Sequence, residues 1–265
     1  MTYMMNLNKS ILATLLVSAL LCACDEVDNA DRYEQLPDIQ SQRVVLLEEF
    51  TGQLCTNCPD AHRLVANLHE QYGEQLISVA IHAGIFGIGE GTNPNMAGLM
   101  QPDGNTYADY WKVSAYPSGV VNRRNGVLNS SAWATSIREE LKRAAKLNIR
   151  LSATASEDGS ISISTHMEPS SDVSGKLQLW ITESGIQAIQ IDNGKMIADY
   201  VHNHVYRASV NGTWGEDIAL KANIFKDTGH TVQMKDNWVK ENLSVVAFVY
   251  NDAEGVMQVA ECEVE

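Results

Sequence analysis

Residues 44–58 impose the tightest constraint on what this chain can fold into. Val44-Val45-Leu46-Leu47-Glu48-Glu49-Phe50 reads as a short apolar strand, and Thr51-Gly52 as a turn. Cys55-Thr56-Asn57-Cys58 follows, and an amphipathic helix begins at the second cysteine. A helix N-terminus presents unpaired N–H groups and partial positive charge, which stabilise a thiolate. A C-x-x-C pair between a strand and a helix therefore suits redox chemistry, with Cys55 as nucleophile and Cys58 resolving the mixed disulfide.

The first residues indicate a compartment. Lys9 precedes an apolar run from Ile11 to Leu21, about half the length of a bilayer-spanning helix, which fits a signal peptide better than an anchor. Leu21-Cys22-Ala23-Cys24 resembles a bacterial lipobox, with Cys24 as the residue to be lipidated. The expected divisions are a lipoprotein signal peptide over 1–23 and an acidic tether over 24–40. Removing residues 1–23 leaves 33 acidic against 18 basic residues, a net charge of −15. That balance argues against nucleic acid and anionic membrane surfaces as partners. An extracytoplasmic setting permits a Cys55–Cys58 disulfide. Cys262, on a terminal alternating segment, reads as a buried free thiol.

Residues 41–147 alternate strands and helices. Ala61, Leu64, Val65, Leu68 and Tyr72 fall at helical spacing, with Pro59 at the start and Gly73 at the stop. Ile77 to Ala83 reads as a buried strand, and a short helix is expected near Asn105–Val113. After Tyr116-Pro117, a hairpin is expected to turn at Asn125-Gly126, and a helix presents Trp133, Ile137 and Leu141. This element order resembles the thioredoxin fold. The resemblance implies that Pro117 is cis and faces the cysteines, and that Glu49 is a buried acid moving protons for the resolving thiol; the alternative for Glu49 is a solvent-facing strand residue beside Glu48. The Thr-Asn dipeptide between the cysteines and the Gln53-Leu54 approach depart from that family's pattern, so its redox potential and partner range do not carry over.

Residues 148–265 show period-two alternation, turns at regular intervals and little helical periodicity. The expected architecture is a thioredoxin-like α/β domain (41–147) followed by an all-β, immunoglobulin-like sandwich domain (148–265). The substrate groove is expected to be lined by Tyr116, His82 and Trp111, with helix packing into the core as the alternative for the aromatic cluster of Tyr107, Tyr110, Trp111 and Tyr116. His82, at a strand end, could tune Cys55 if protonated; the alternative is a hydrogen-bonded structural histidine. Cys55, Cys58 and His62 form a C-x-x-C-x-x-x-H set that lacks a fourth zinc ligand, since His69 lies two turns along the helix, and His202 and His204 read as a solvated pair, so no metal site is expected. No cofactor motif is present: Gly87-Ile88-Gly89-Glu90-Gly91 lacks the lysine of a phosphate loop.

The lipobox, Leu47-Glu48-Glu49-Phe50-Thr51-Gly52 running into Cys55-Thr56-Asn57-Cys58-Pro59, Val79-Ala80-Ile81-His82-Ala83-Gly84 and Val245-Val246-Ala247-Phe248-Val249-Tyr250-Asn251 are together similar to the outer membrane protein 28 (28-kDa) family of Bacteroidetes lipoproteins. The resemblance implies an outer-membrane, lipid-anchored protein on the periplasmic or cell-surface face. Two functions follow as expectations. One is thiol–disulfide exchange on extracytoplasmic protein thiols and disulfides; the other is non-catalytic, adhesin-type binding of surface ligands, with Cys55–Cys58 as a structural disulfide.

Overall fold

Every residue of Val45–Thr51 is buried, so this strand (β1) has apolar or paired surroundings on both faces. The computed structural model describes residues 42–92 and 96–265; the expected signal peptide, Cys24 and the acidic tether lie outside the described residues. Helix α1 (Cys58–Tyr72) follows, with Pro59 in its first turn and Gly73 at φ 53° past its end. Strand β2 (Leu76–His82) returns parallel to β1. Then come α2 (Pro102–Trp111), β3 (Ser118–Val121), β4 (Arg124–Leu128) and α3 (Ser130–Leu141). Among the described residues no helix is long and apolar enough to cross a membrane.

The β3–β4 turn falls earlier than the sequence suggests. Asn122 and Arg123 take positive φ (48° and 53°), the signature of a two-residue hairpin turn, while Asn125-Gly126 lies within β4. Tertiary contacts decide the register. Asn122 Oδ1 accepts from Leu46 N at 2.8 Å, its carbonyl accepts from Val256 N at 2.8 Å, and Arg123 Nε donates to Glu48 Oε1 at 2.8 Å.

The second half contributes β5 (Leu147–Ala155), β6 (Ser160–Pro169), β7 (Val173–Glu183), β8 (Ile186–Asp192) and β9 (Lys195–His202). It ends with β10 (Val205–Ser209), β11 (Glu216–Leu220), β12 (Lys226–Gln233), β13 (Leu243–Asn251) and β14 (Gly255–Glu263). Nine strands make one mixed sheet in the order β14-β13-β7-β10-β2-β1-β3-β4, with β11 also on β7. β12-β6-β5 form a second sheet, and β8-β9 a separate hairpin.

The expected thioredoxin-like domain followed by an immunoglobulin-like sandwich is therefore not what the chain forms. The reason lies at the open edge of β2. An unpaired buried strand edge is costly, and β10 closes this one: Val205 pairs with Ala80, and Ala80 N donates to the His204 carbonyl at 2.8 Å. β10 also pairs with β7, so the sheet runs through the expected boundary at residue 147 without a break. It curls until β14, at one end of the order, meets the β3–β4 turn near the other, through Val256 N and the Asn122 carbonyl.

Alternation along β1 sorts two cores, and a third lies apart from this strand. Val45 and Leu47 pack with Leu68 of α1 and Trp133 of α3. Leu46 and Phe50 face the inside of the curl, with Tyr107, Trp180, Tyr206 and Phe248. A third core lies between the β12-β6-β5 sheet and β7, β13 and β14, including Ile161, Met167, Leu179 and Val245.

Candidate functional site

Cys55 and Cys58 form a disulfide, with Cα atoms 5.4 Å apart, where the loop after β1 enters α1. Gly52 allows this loop to approach its neighbour: a Cβ there would sit 2.5 Å from the Phe86 backbone carbon, and Leu54 N donates to the Phe86 carbonyl at 2.9 Å. Cys55 is only 3% exposed and Cys58 fully buried. The cover is the β8–β9 hairpin. Its Gln190 amide donates to the Cys55 carbonyl at 3.0 Å, and Ile191 N donates to the Gln53 carbonyl at 2.8 Å. At the turn, Gly194 N donates to Thr56 Oγ1 at 2.8 Å and Asn193 N to the Thr56 carbonyl at 3.3 Å. The pair therefore lies beneath a backbone-matched lid.

Glu49 lies on the α1 side of β1, opposite Glu48. It is 3% exposed, and burial pushes its carboxyl up to about 8. His62, one turn along α1 from Cys58, places Nε2 3.7 Å from Glu49 Oε1. It also hydrogen-bonds with Thr51 Oγ1 through Nε2 and with the Tyr200 hydroxyl through Nδ1, both at 2.9 Å. His82, at the end of β2, points to the same side and meets His202 at 5.3 Å between ring centroids; His62 and His202 are 6.3 Å apart. These groups line a cavity of about 270 Å³ together with His69 and His204, which stack at 5.0 Å. Burial pushes His62, His202 and His204 down to about 4, and His82 well below the ordinary histidine range. At neutral pH the cavity thus holds neutral imidazoles and a protonated carboxyl.

The expected groove of Tyr116, His82 and Trp111 is not assembled. The Tyr116–Pro117 bond is cis, and Tyr116 packs edge-on against Phe86 at 5.6 Å, beside the segment that holds Leu54. His82 faces His202 on the α1 side of the sheet. Trp111 lies with Tyr110, Trp214 and Tyr250 around a different pocket, which the Arg123 guanidinium also lines. His82 is buried among neutral imidazoles, so it carries no charge with which to tune Cys55. His202 and His204 are not a solvated pair: His202 is 3% exposed, and His204, at φ 54°, is half-buried on the way into β10. Cys262 is a free, half-buried thiol, pushed up to about 12 by burial and the neighbouring Glu261 and Glu265.

Sequence reasoning missed the lid, although Asn193-Gly194 between two period-two segments is a hairpin signal. It also missed the joining of His62, His82 and His202, which no spacing encodes because they come from three separate elements.

A family model described as outer membrane protein Omp28 matches residues 104–265. Among solved structures, HBP35 of Porphyromonas gingivalis is similar at 15% identity and a TM-score of 0.65, over 84% of this chain and 76% of its own. A protein of Agrobacterium tumefaciens is similar at 13% identity and a TM-score of 0.51, over 83% of this chain and 93% of its own. A domain of the outer membrane lipoprotein Omp28 from Porphyromonas gingivalis is 25% identical over 46% of this chain and 89% of its own, with a TM-score of 0.34. No curated protein matches the chain. The first two likenesses concern the fold alone, and both extend across residue 147, as the continuous sheet does.

Proposed function

The chain belongs to the outer membrane protein Omp28 family, and from that premise we propose that it is a lipid-anchored binding protein in which Cys55–Cys58 is a structural staple. The observation that carries this reading is the occlusion of the pair. Exchange requires a thiolate to reach a disulfide sulfur along an open path, and here the hairpin and α1 cover both cysteines. The bridge fixes the shape of the loop whose carbonyls receive the hairpin. Closing so short a loop contributes about 2 kcal/mol by chain entropy. The partners on this reading are extracytoplasmic proteins or surface ligands, in keeping with the net charge of −15 once residues 1–23 are removed. Cys24 carries the lipid; Cys24→Ala then leaves the precursor at full length, with residues 1–23 still attached and no incorporation of labelled fatty acid. Normal processing and membrane retention of that variant would remove the anchor from the reading.

Thiol–disulfide exchange keeps one supporting observation. Glu49 is a buried carboxyl pushed up to about 8, the kind of group that can take a proton from a resolving thiol. The two readings separate in one experiment. The native protein is equilibrated in glutathione and dithiothreitol buffers of graded potential, then alkylated with iodoacetamide and weighed. A staple stays oxidised to below about −300 mV and yields only in denaturant. Reversible reduction between about −270 and −120 mV in the folded protein, with Cys55 alkylated first, would replace the staple by exchange.

A further inference from the structure

The cavity between α1, β2 and the end of β9 gathers an unusual set of unsatisfied atoms. Among the described residues, Nε2 of His202 and Oε1 of Glu49 are buried without a hydrogen-bond partner, and the buried His82 ring, engaged on one side by the Ala80 backbone, has no side-chain partner for its other nitrogen. Buried polar groups are nearly always paired, so such a cluster needs an account of its own. These side chains line one space of about 270 Å³. His202 is oriented for a role at that space: the backbone of Ile189 and Ala188 engages its ring, and Nε2 is left over. A backbone-anchored imidazole with its other nitrogen free is how proteins present a metal ligand.

From these residues the geometry points to a divalent transition-metal site formed by His82, His202 and Glu49, with His62 as the fourth ligand. The donor set, three imidazole nitrogens and a carboxylate oxygen, suits zinc and its neighbours rather than calcium or magnesium. Among the described residues no Arg or Lys partners Glu49: the Arg63 guanidinium that lines the same cavity is already paired with Asp60 and Asp192. The ion would displace the Glu49 proton to solvent and take up the unpaired nitrogens. Among the described residues no three such groups already stand in coordination geometry. Closure therefore requires the rings, 5.3 and 6.3 Å apart between centroids, to turn toward a common point. His62 must also exchange its Thr51 contact for the ion. The disulfide sulfurs are not ligands, so the site is independent of whether the bridge is a staple or an exchanger.

The test uses the purified full chain with its cysteine pair oxidised, stripped by a chelator and titrated with Zn²⁺ by calorimetry and with Co²⁺ by absorption. The expected result is one ion per chain and Co²⁺ bands of a nitrogen and oxygen site without thiolate charge transfer. His202→Gln and Glu49→Gln should each weaken binding at least about tenfold, while His230→Gln, on β12 and outside the cavity lining, leaves it unchanged. Circular dichroism and thermal unfolding in chelator establish that each variant is folded. Absence of stoichiometric binding by the parent chain would overturn the proposal. Equal affinity in folded His202→Gln and Glu49→Gln would also overturn it, as would a thiolate band.

Discussion

Glu48 and Glu49 are adjacent in sequence and fully buried on opposite faces of one strand, yet they meet different chemistry. Glu48 pairs with Arg123 at 2.8 Å, and the guanidinium lies over Tyr250 and Phe248 at 4.2 and 4.8 Å. Glu49 has no comparable cation, so it keeps its proton to about pH 8. This makes the cavity a source of pH dependence with two limbs. The native histidines titrate near 4 but near 6.5 when unfolded, so the unfolded state binds more protons between those values. Stability therefore falls as pH drops through that window, by about 1.4 kcal/mol per unit for each histidine. Glu49 has the opposite sign: its native form holds a proton that the unfolded form releases above about 4.5, so stability falls as pH rises toward 8. Urea unfolding in chelator from pH 4 to 9 should thus give a maximum near pH 6.5. Glu49→Gln should flatten the alkaline limb and leave the acid limb in place. An unaltered alkaline limb in that variant would mean that Glu49 is already ionised in the native state.

At the scale of elements, the hairpin β8–β9 decides whether the disulfide is accessible. Its turn places Asn193 and Gly194 at φ 48° and 76°, and a Cβ on Gly194 would meet nothing within 4 Å. Gly194→Val therefore strains the backbone without a steric clash, at a cost of about 1–2 kcal/mol. If reduction requires the hairpin to lift, dithiothreitol should reduce Cys55–Cys58 about tenfold faster in this variant. A lowered Tm with an unchanged reduction rate would show that another opening exposes the sulfurs. Much of this level was legible in the sequence. The strand before Cys55, the helix from Cys58 to Gly73 and the face of Trp133 and Ile137 follow from local periodicity. The lid carried a signal too, in Asn193-Gly194. What the sequence did not contain was the target of that lid, because the bonds from Gln190, Ile191 and Gly194 span about 135 residues. The turn at Asn122-Arg123 was hidden for the same reason: its determinants, Glu48 and Val256, are far away along the chain.

For the whole molecule, the central question is whether the region from residue 42 folds as one unit or two. A boundary at residue 147 would cut the nine-stranded sheet between β2 and β10 and remove the strands that close the curl. Leu46, Phe50, Ile77, Val79 and Ile81 share their core with Trp180, Tyr206, Val246 and Phe248, so each half exposes a large apolar face without the other. The Glu48–Arg123 pair would also lose the Phe248 and Tyr250 rings that exclude water from it. Arg43, at the start of the described chain, donates to the Val256 and Met257 carbonyls and lies 3.3 Å from Glu140, tying β14 to α3. These contacts predict one cooperative transition, with calorimetric and van't Hoff enthalpies equal. A fragment of residues 42–147 should bind ANS and give poorly dispersed amide spectra, and mixing it with 148–265 should restore native dispersion. The third core, between β12-β6-β5 and β7, β13 and β14, lies within 147–265 apart from its interface to the curl. The C-terminal fragment should therefore retain more order than the N-terminal one, measurable as slower amide exchange in β6 and β13 than anywhere in the isolated 42–147. Two resolved transitions in the intact chain, or a well-dispersed 42–147, would mean that the sheet joins two domains that each fold alone.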